Sequence, residues 1–141
     1  MNMDDRARTK KTSSKGVVSG RVTTSNKKVD VRLSFISFED SGSQVIYCPA
    51  LDLSGYGKTE EEARSSFETV LEEFLRYTIN KGTLVEDLES LGWKRSRSKS
   101  SAKMTPPAIS SLLDTNETFR EIFDKHQFTK SDVAVPLPAF C

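Results

Sequence analysis

The sequence predicts a small α+β domain: a three- or four-stranded antiparallel sheet covered by one long helix, with short C-terminal helices. Two runs of strand-forming residues and a later stretch with helical spacing of apolar residues support this. Of 141 residues, 35% are hydrophobic and 29% charged, which suits one core with polar extensions. We expect a disordered basic arm at 1–28, a folded domain at 29–93, a basic serine-rich linker at 94–107, and short helices with a strand-like tail at 108–141.

The first strands are predicted between residues 29 and 57. In VDVRLSFISF, which begins at Val29, apolar and polar residues alternate with the period of a half-buried strand. The Asp40-Ser41-Gly42 turn signal and the following QVIYC run predict a β-hairpin. Pro49 ends that run, and ALDLSGYG predicts a short third strand.

The long helix is predicted after this third strand. Thr59 and Glu62 have the spacing of a capping box, and Gly82 is a stop signal. Burial of large apolar side chains, at about 2 kcal/mol each, outweighs caps worth about 1 kcal/mol each, so the apolar face should lie on the sheet. The positions at helical spacing are Ala63, Phe67, Val70, Leu71, Phe74 and Thr78.

Further short elements are predicted downstream. Thr83 and Glu86 form a second capping-box pattern, which opens a helix presenting Leu84, Leu88 and Leu91, and Trp93 should complete the core. After the linker, Thr115 or Asn116 caps TFREIF, whose stripe of Phe119, Ile122 and Phe123 should dock on its own domain or on a partner. The terminal VAVPLP could add a strand to an exposed sheet edge, its own or a neighbouring subunit's, and Pro136 and Pro138 limit it to edge pairing.

The stretch SGYGKT, residues 54–59, resembles the end of a phosphate-binding loop but lacks its other requirements. Asp52 stands where a P-loop needs glycine, and Glu60 stands where a dinucleotide fingerprint needs its third glycine. Carboxylates in the first helical turn would also repel phosphate. We expect no nucleotide cofactor and interpret Gly55 and Gly57 as residues that take positive φ where the strand turns into the helix.

The residues do not favour an enzyme or a metal site. Cys48 and Cys141 lack metal-ligand spacing, and the only histidine, His126, lies in the C-terminal segment. The strand acids Asp30 and Asp52, with Glu39 and Asp40 in the turn, are too sparse for metal-assisted phosphoryl chemistry. Without an apolar run of about 20 residues or a signal-peptide core, we expect a soluble cytoplasmic protein with reduced thiols.

Charge is unevenly distributed although the formal net charge is only +1. Residues 6–28 carry basic side chains and no acid, and KRSRSKSSAK at 94–103 is also basic. The simplest interpretation is a solvated tail and linker. The alternative is a nucleic-acid-binding protein in which both segments grip phosphates.

Residues 31–93 resemble the N-terminal domain of the HicB-like antitoxin family. The resemblance lies in two strands, a glycine turn with TEEEA, and a long helix. This chain departs from the family pattern at Ser54, where the family has proline, and at Tyr56, where it has cysteine. The matching positions are Pro49, Leu51, Leu53, Gly55, Gly57, Thr59, Glu61, Glu62 and Ala63.

This resemblance implies a degenerate ribonuclease-H-like fold and a bacterial toxin–antitoxin role. The chain would bind and occlude a small HicA-like toxin that cleaves mRNA with a histidine, and it would form a homodimer. Many relatives bind operator DNA, but FREIFDKHQFTK is mixed in charge and gives no clear DNA-binding motif. An orphan interaction module is the third possibility.

The expected partner-binding residues are Tyr56, Lys58, Glu60, Glu61 and Glu62. Together with further acids on the long helix, they give one negative face, which could attract a basic RNA-binding partner. An ordinary solvated helix face is the alternative interpretation of the same charges.

Overall fold

The computed structural model describes residues 24–97 and 102–140 and has an α+β fold. Its strands lie in the order β3-β2-β1-β6-β5-β4, and all paired neighbours are antiparallel. β5 pairs with β6 only at Ala102 and Phe140, so the body is a four-stranded sheet with a β4–β5 hairpin appended. The elements are β1 (Thr24–Asp40), β2 (Ser43–Cys48), β3 (Leu53–Gly57), α1 (Glu60–Lys81), α2 (Leu84–Ser90), β4 (Lys94–Arg97), β5 (Ala102–Thr105), α3 (Ile109–Thr115), α4 (Glu117–Lys125) and β6 (Phe128–Phe140).

The predicted hairpin is confirmed and closes through a two-residue turn. Asp40 pairs with Ser43, and Ser41 and Gly42 between them have φ of 55° and 84°. Positive φ at both central residues is typical of a type I′ turn, whose twist matches that of the strands. The register of β1 and β2 is therefore fixed locally.

Helix α1 begins and ends as predicted. The Thr59 hydroxyl accepts a hydrogen bond from the backbone N–H of Glu62 at 3.1 Å, and the Glu62 carboxylate accepts one from the N–H of Lys58 at 2.9 Å. Gly82 ends the helix in the left-handed conformation, with φ of 72°. The apolar side faces the sheet, where the ring of Phe67 meets that of Phe35 at 4.9 Å. Phe67 is buried, whereas Val70, Leu71 and Phe74 are only half-buried.

A second helical layer covers the opposite face of the sheet. Successive strand residues point to opposite faces, so Phe38 and Tyr47 lie on the face away from Phe35. There the ring of Phe38 meets that of His126 at 4.7 Å, and the ring of Tyr47 meets that of Phe119 at 6.5 Å. The predicted stripe of α4 thus docks on its own domain, with Phe119 and Ile122 buried and Phe123 exposed.

The C-terminal strand β6 runs along β1, so of the two predicted possibilities, its own sheet or a neighbouring subunit's, the tail joins its own. Pro136 is paired with Asp30 and Pro138 with Lys28. Proline has no N–H, so both must occupy non-hydrogen-bonded pairs with β1, where backbone groups point away from the partner strand. By alternation, the backbone groups of all even-numbered residues from 128 to 138 point away from β1.

Three predictions differ from the structure. β1 begins at Thr24, inside the predicted arm, while residues 1–23 lie outside the described residues. The predicted linker at 94–107 contains β4 and β5, because the backbones of 94–97 and 102–105 pair as an antiparallel hairpin. The Thr83–Glu86 capping box is wrong, since the Thr83 hydroxyl donates to Asp87 at 3.1 Å and caps no backbone N–H.

The rest of this region follows the prediction. Leu84 and Leu88 are buried, and Leu91 is half-buried. Trp93 is buried, and its indole Nε1–H donates to the carbonyl oxygen of Ala50 at 2.7 Å. That bond ties the end of α2 to the loop between β2 and β3.

Candidate partner-binding surface

The two glycines of SGYG let helix α1 approach strand β3 directly. Neither has positive φ, so the predicted conformational role is wrong. A Cβ atom on Gly55 would lie 2.5 Å from the carbonyl oxygen of Ala63 and 2.6 Å from the Cα of Phe67. A Cβ on Gly57 would lie 2.5 Å from the Cβ of Glu62. Because backbone meets backbone here, the first turns of α1 are held in a fixed position against the edge strand.

This close approach brings the predicted partner-binding residues to one edge of the sheet. Tyr56 is 58% exposed, and Lys58 and Glu60 to Glu62 are exposed as well. β3 is the last strand at this end of the sheet, with Tyr56 on the face opposite α1. We call these five residues, Tyr56, Lys58, Glu60, Glu61 and Glu62, the acidic edge.

The backbone at the acidic edge is partly occupied. The N–H of Tyr56 donates to the hydroxyl of Ser66 on α1 at 3.2 Å. That bond agrees with the hydrogen-bond alternation across the sheet, which points the backbone groups of Tyr56 away from β2. A strand from another protein could accept a hydrogen bond from that N–H only by displacing the Ser66 hydroxyl. A partner would therefore contact this edge mainly through side chains.

The three carboxylates of the acidic edge have different surroundings. Glu62 caps the helix, and Glu60 lies 3.9 Å from Arg64 in an exposed ion pair. Exposed pairs of this kind contribute about 0–1 kcal/mol. Among the residues whose side chains the structure describes, Glu61 has no hydrogen-bond or ion-pair partner. Glu61 is therefore the carboxylate that a partner could engage without disturbing α1.

The negative charge extends along the helix beyond the acidic edge. Helix α1 carries six acidic and three basic side chains, and three of its acids lie in the first turn. Acids in that turn stabilise the helix through its macrodipole. Since they are exposed, their field also reaches solvent and would attract a positively charged molecule.

A part-buried polar network, which the sequence did not reveal, holds the loop before β3. The hydroxyl of Tyr47, which is 1% exposed, donates to Asp52 at 2.6 Å and accepts from the Asn116 side chain at 2.8 Å. Asn116 in turn caps α4 by accepting the N–H of Phe119 at 3.1 Å. Burial raises the pKa of Tyr47 well above its ordinary value, and the bond to Asp52 raises it further. The cap was predicted, but nothing in the sequence indicated that Tyr47 would join it.

The residues considered for catalysis are dispersed. Burial raises the pKa of Cys48 to about 12, so its thiol is protonated near neutral pH. The ring of His126 packs on Phe38. Within 24–97 and 102–140, no group of three or more histidine, cysteine or acidic side chains is placed to hold a metal ion. None of the helices in the same ranges has the length and apolar character needed to cross a membrane.

Comparison of the chain with models of protein families, with characterised proteins and with solved structures gives no significant match.

Proposed function

We propose that this protein is an antitoxin-like binding module that occludes a small, basic, RNA-cleaving toxin of the HicA type. The observation that carries the proposal is the acidic edge. Glu61 is exposed and has no polar partner among the described residues, and the exposed Tyr56 ring lies on the neighbouring strand. Exposed aromatic side chains are enriched in protein contact sites, and charged side chains lie at the polar rim of such sites.

The chemistry of such a partner suits this edge. A protein that binds RNA presents lysine and arginine side chains to phosphates, and carboxylates compete for the same cations. Occlusion requires only a complementary surface, so no catalytic group is needed on this chain. Charge attraction would also raise the association rate, which benefits an inhibitor of a toxic enzyme.

Rigidity of the acidic edge supports the same function. Gly55 and Gly57 fix α1 against β3, and the Glu62 cap holds the first turn. A preorganised surface loses little entropy on binding, which favours tight association. The order of two strands, glycine turn and long helix also agrees with the family resemblance of residues 31–93.

Affinity purification of the tagged full-length chain from its native cells tests the proposal. We expect a small basic protein to copurify in equal amount with the unmodified chain. The same protein should be lost with Glu61→Lys and retained with Glu72→Lys, which makes the same charge change on the same helix. Glu72 lies eleven residues along α1, about 16 Å from Glu61 at 1.5 Å per residue. Equal loss with both variants, or recovery of nucleic acid alone, would contradict the proposal.

A further inference from the structure

The outer edge of β6 has no partner strand along most of its length. Among the described residues, β6 is paired on that side only at Phe140, where it meets Ala102 of β5. The backbone N–H and C=O groups of Phe128, Lys130, Asp132 and Ala134 point outward at this edge, as the proline positions require. The side chains of Lys130, Asp132 and Ala134 are exposed.

Two prolines limit the length of this edge. Pro136 and Pro138 continue the same outward-pointing series but have no N–H to donate. Any strand that pairs here can therefore form a regular ladder only from Phe128 to Ala134. That segment is symmetric about Ser131, with three residues on each side.

The charges on the segment are arranged for self-pairing. Lys130 and Asp132 flank Ser131 and lie on the same face, where they form an exposed ion pair at 3.0 Å. In an antiparallel pair of two copies centred on Ser131, Lys130 lies opposite the partner's Asp132, and Asp132 lies opposite the partner's Lys130. A shift of the centre to residue 130 or 132 would place two lysines or two aspartates directly opposite each other, which is destabilising.

We propose that the protein forms a two-fold symmetric dimer by antiparallel pairing of β6 with β6 of a second copy, centred on Ser131. A closed two-fold contact requires one surface that is complementary to itself. The outward backbone groups of 128–134 are self-complementary, and so are the charges of Lys130 and Asp132. The two four-stranded sheets become one continuous eight-stranded sheet. The acidic edge lies at the far end of each sheet, beyond β1 and β2, and stays accessible.

A charge-swap series with sedimentation analysis of the full-length chain tests this dimer. The unmodified chain should sediment as a dimer at micromolar concentrations. Lys130→Glu and Asp132→Lys alone should each raise the dissociation constant about tenfold or more, since both cross-strand pairs between positions 130 and 132 become repulsive. The double variant should restore dimerisation. A monomeric unmodified chain, or a double variant no better than the single ones, would overturn the proposal.

Cysteine cross-linking tests the register independently of charge. In the proposed ladder, Ser131 and the partner's Ser131 form a non-hydrogen-bonded pair with Cα atoms about 4.5 Å apart, within disulfide range. In a Cys141→Ser background, Ser131→Cys should therefore form a covalent dimer on mild oxidation. Thr129→Cys should not, because its counterpart lies four residues away, about 13 Å along the strand. Equal cross-linking of both variants would overturn the register.

A dimer that forms only after residues 1–23 are deleted would also overturn the proposal, since the edge would then be covered by the chain's own N-terminal segment. The dimer and the toxin-binding role can fail separately, because the charge-swap and cysteine variants alter β6 while Glu61→Lys alters the opposite end of the sheet.

Discussion

The backbone of Gly55 contacts the backbone of Phe67, so β3 and α1 meet with no side chain between them. Gly55→Ala should lower the free energy of unfolding by about 3 kcal/mol, the upper part of the usual range for overpacking, because neither backbone can move aside. Urea denaturation measures this. Ser54→Ala, one residue earlier on β3 and on its other face, is the control and should change stability by no more than about 0.5 kcal/mol. Equal stability of the two variants would show that α1 is not held as described.

Two adjacent carboxylates should respond differently to the same charge reversal. Glu62→Lys should lower the free energy of unfolding by about 1 kcal/mol, because the N–H of Lys58 loses its acceptor. Glu61→Lys should change it by less than about 0.5 kcal/mol, since Glu61 has no polar contact within the described residues. Thermal unfolding of both variants measures the difference. A large loss with Glu61→Lys would assign that carboxylate to helix stability and remove it as a binding residue.

The network of Tyr47, Asp52 and Asn116 should behave as a coupled unit. Tyr47→Phe removes the donor to Asp52 and the acceptor for the Asn116 side-chain N–H, and should cost about 1 kcal/mol because the exposed Asp52 can bond to water instead. Asn116→Asp keeps the acceptor for the N–H of Phe119 but cannot donate to Tyr47, so it separates the cap from the network. A double-mutant cycle between Tyr47→Phe and Asn116→Asp should give a coupling above about 0.5 kcal/mol. Simple additivity would contradict the network.

Stability should fall in alkaline solution because two acidic protons are held more tightly in the folded state. Burial raises the pKa of Cys48 from 9.0 to about 12 and also raises the pKa of Tyr47 above 10.0. The unfolded chain loses both protons first, so it binds fewer protons than the native state and unfolding becomes easier as pH rises. Urea midpoints at about pH 8 and about pH 10.5 measure the loss. The double variant Cys48→Ala, Tyr47→Phe should show a smaller drop between the two pH values, and an equal drop would contradict this origin.

Local patterns predicted most of the elements on the α1 side of the domain. The β1–β2 hairpin, the Thr59 cap and the Gly82 stop each depend on residues close in sequence. They can therefore be predicted without knowledge of the fold. The sequence pattern indicates a role for Gly55, but the predicted reason, a positive φ, is wrong. Its role depends on a helix eight to twelve residues later lying against it, and that contact exists only in three dimensions.

The second helical layer and the β4–β5 hairpin could not be derived in the same way. The apolar stripe of Phe119 and Ile122 predicts that α4 docks on another surface. The stripe does not show whether that surface is its own sheet or a partner. The composition of 94–107, rich in serine and lysine, is typical of a linker. Strand pairing in this segment depends on the partner strand, which composition does not reveal. At the acidic edge, the exposure of the glutamates follows from their charge. The hydrogen bond from the Tyr56 N–H to Ser66 could not be predicted from the sequence.

Inhibition of RNA cleavage tests the proposed function most directly. The protein that copurifies with the tagged chain is separated from it and incubated with labelled RNA and increasing amounts of the full-length chain. The antitoxin-like role predicts that this protein cleaves RNA alone, that one equivalent of the chain abolishes cleavage, and that Glu61→Lys inhibits far less than Glu72→Lys. A copurifying protein that does not cleave RNA, or cleavage that continues at full rate with excess chain, would contradict it.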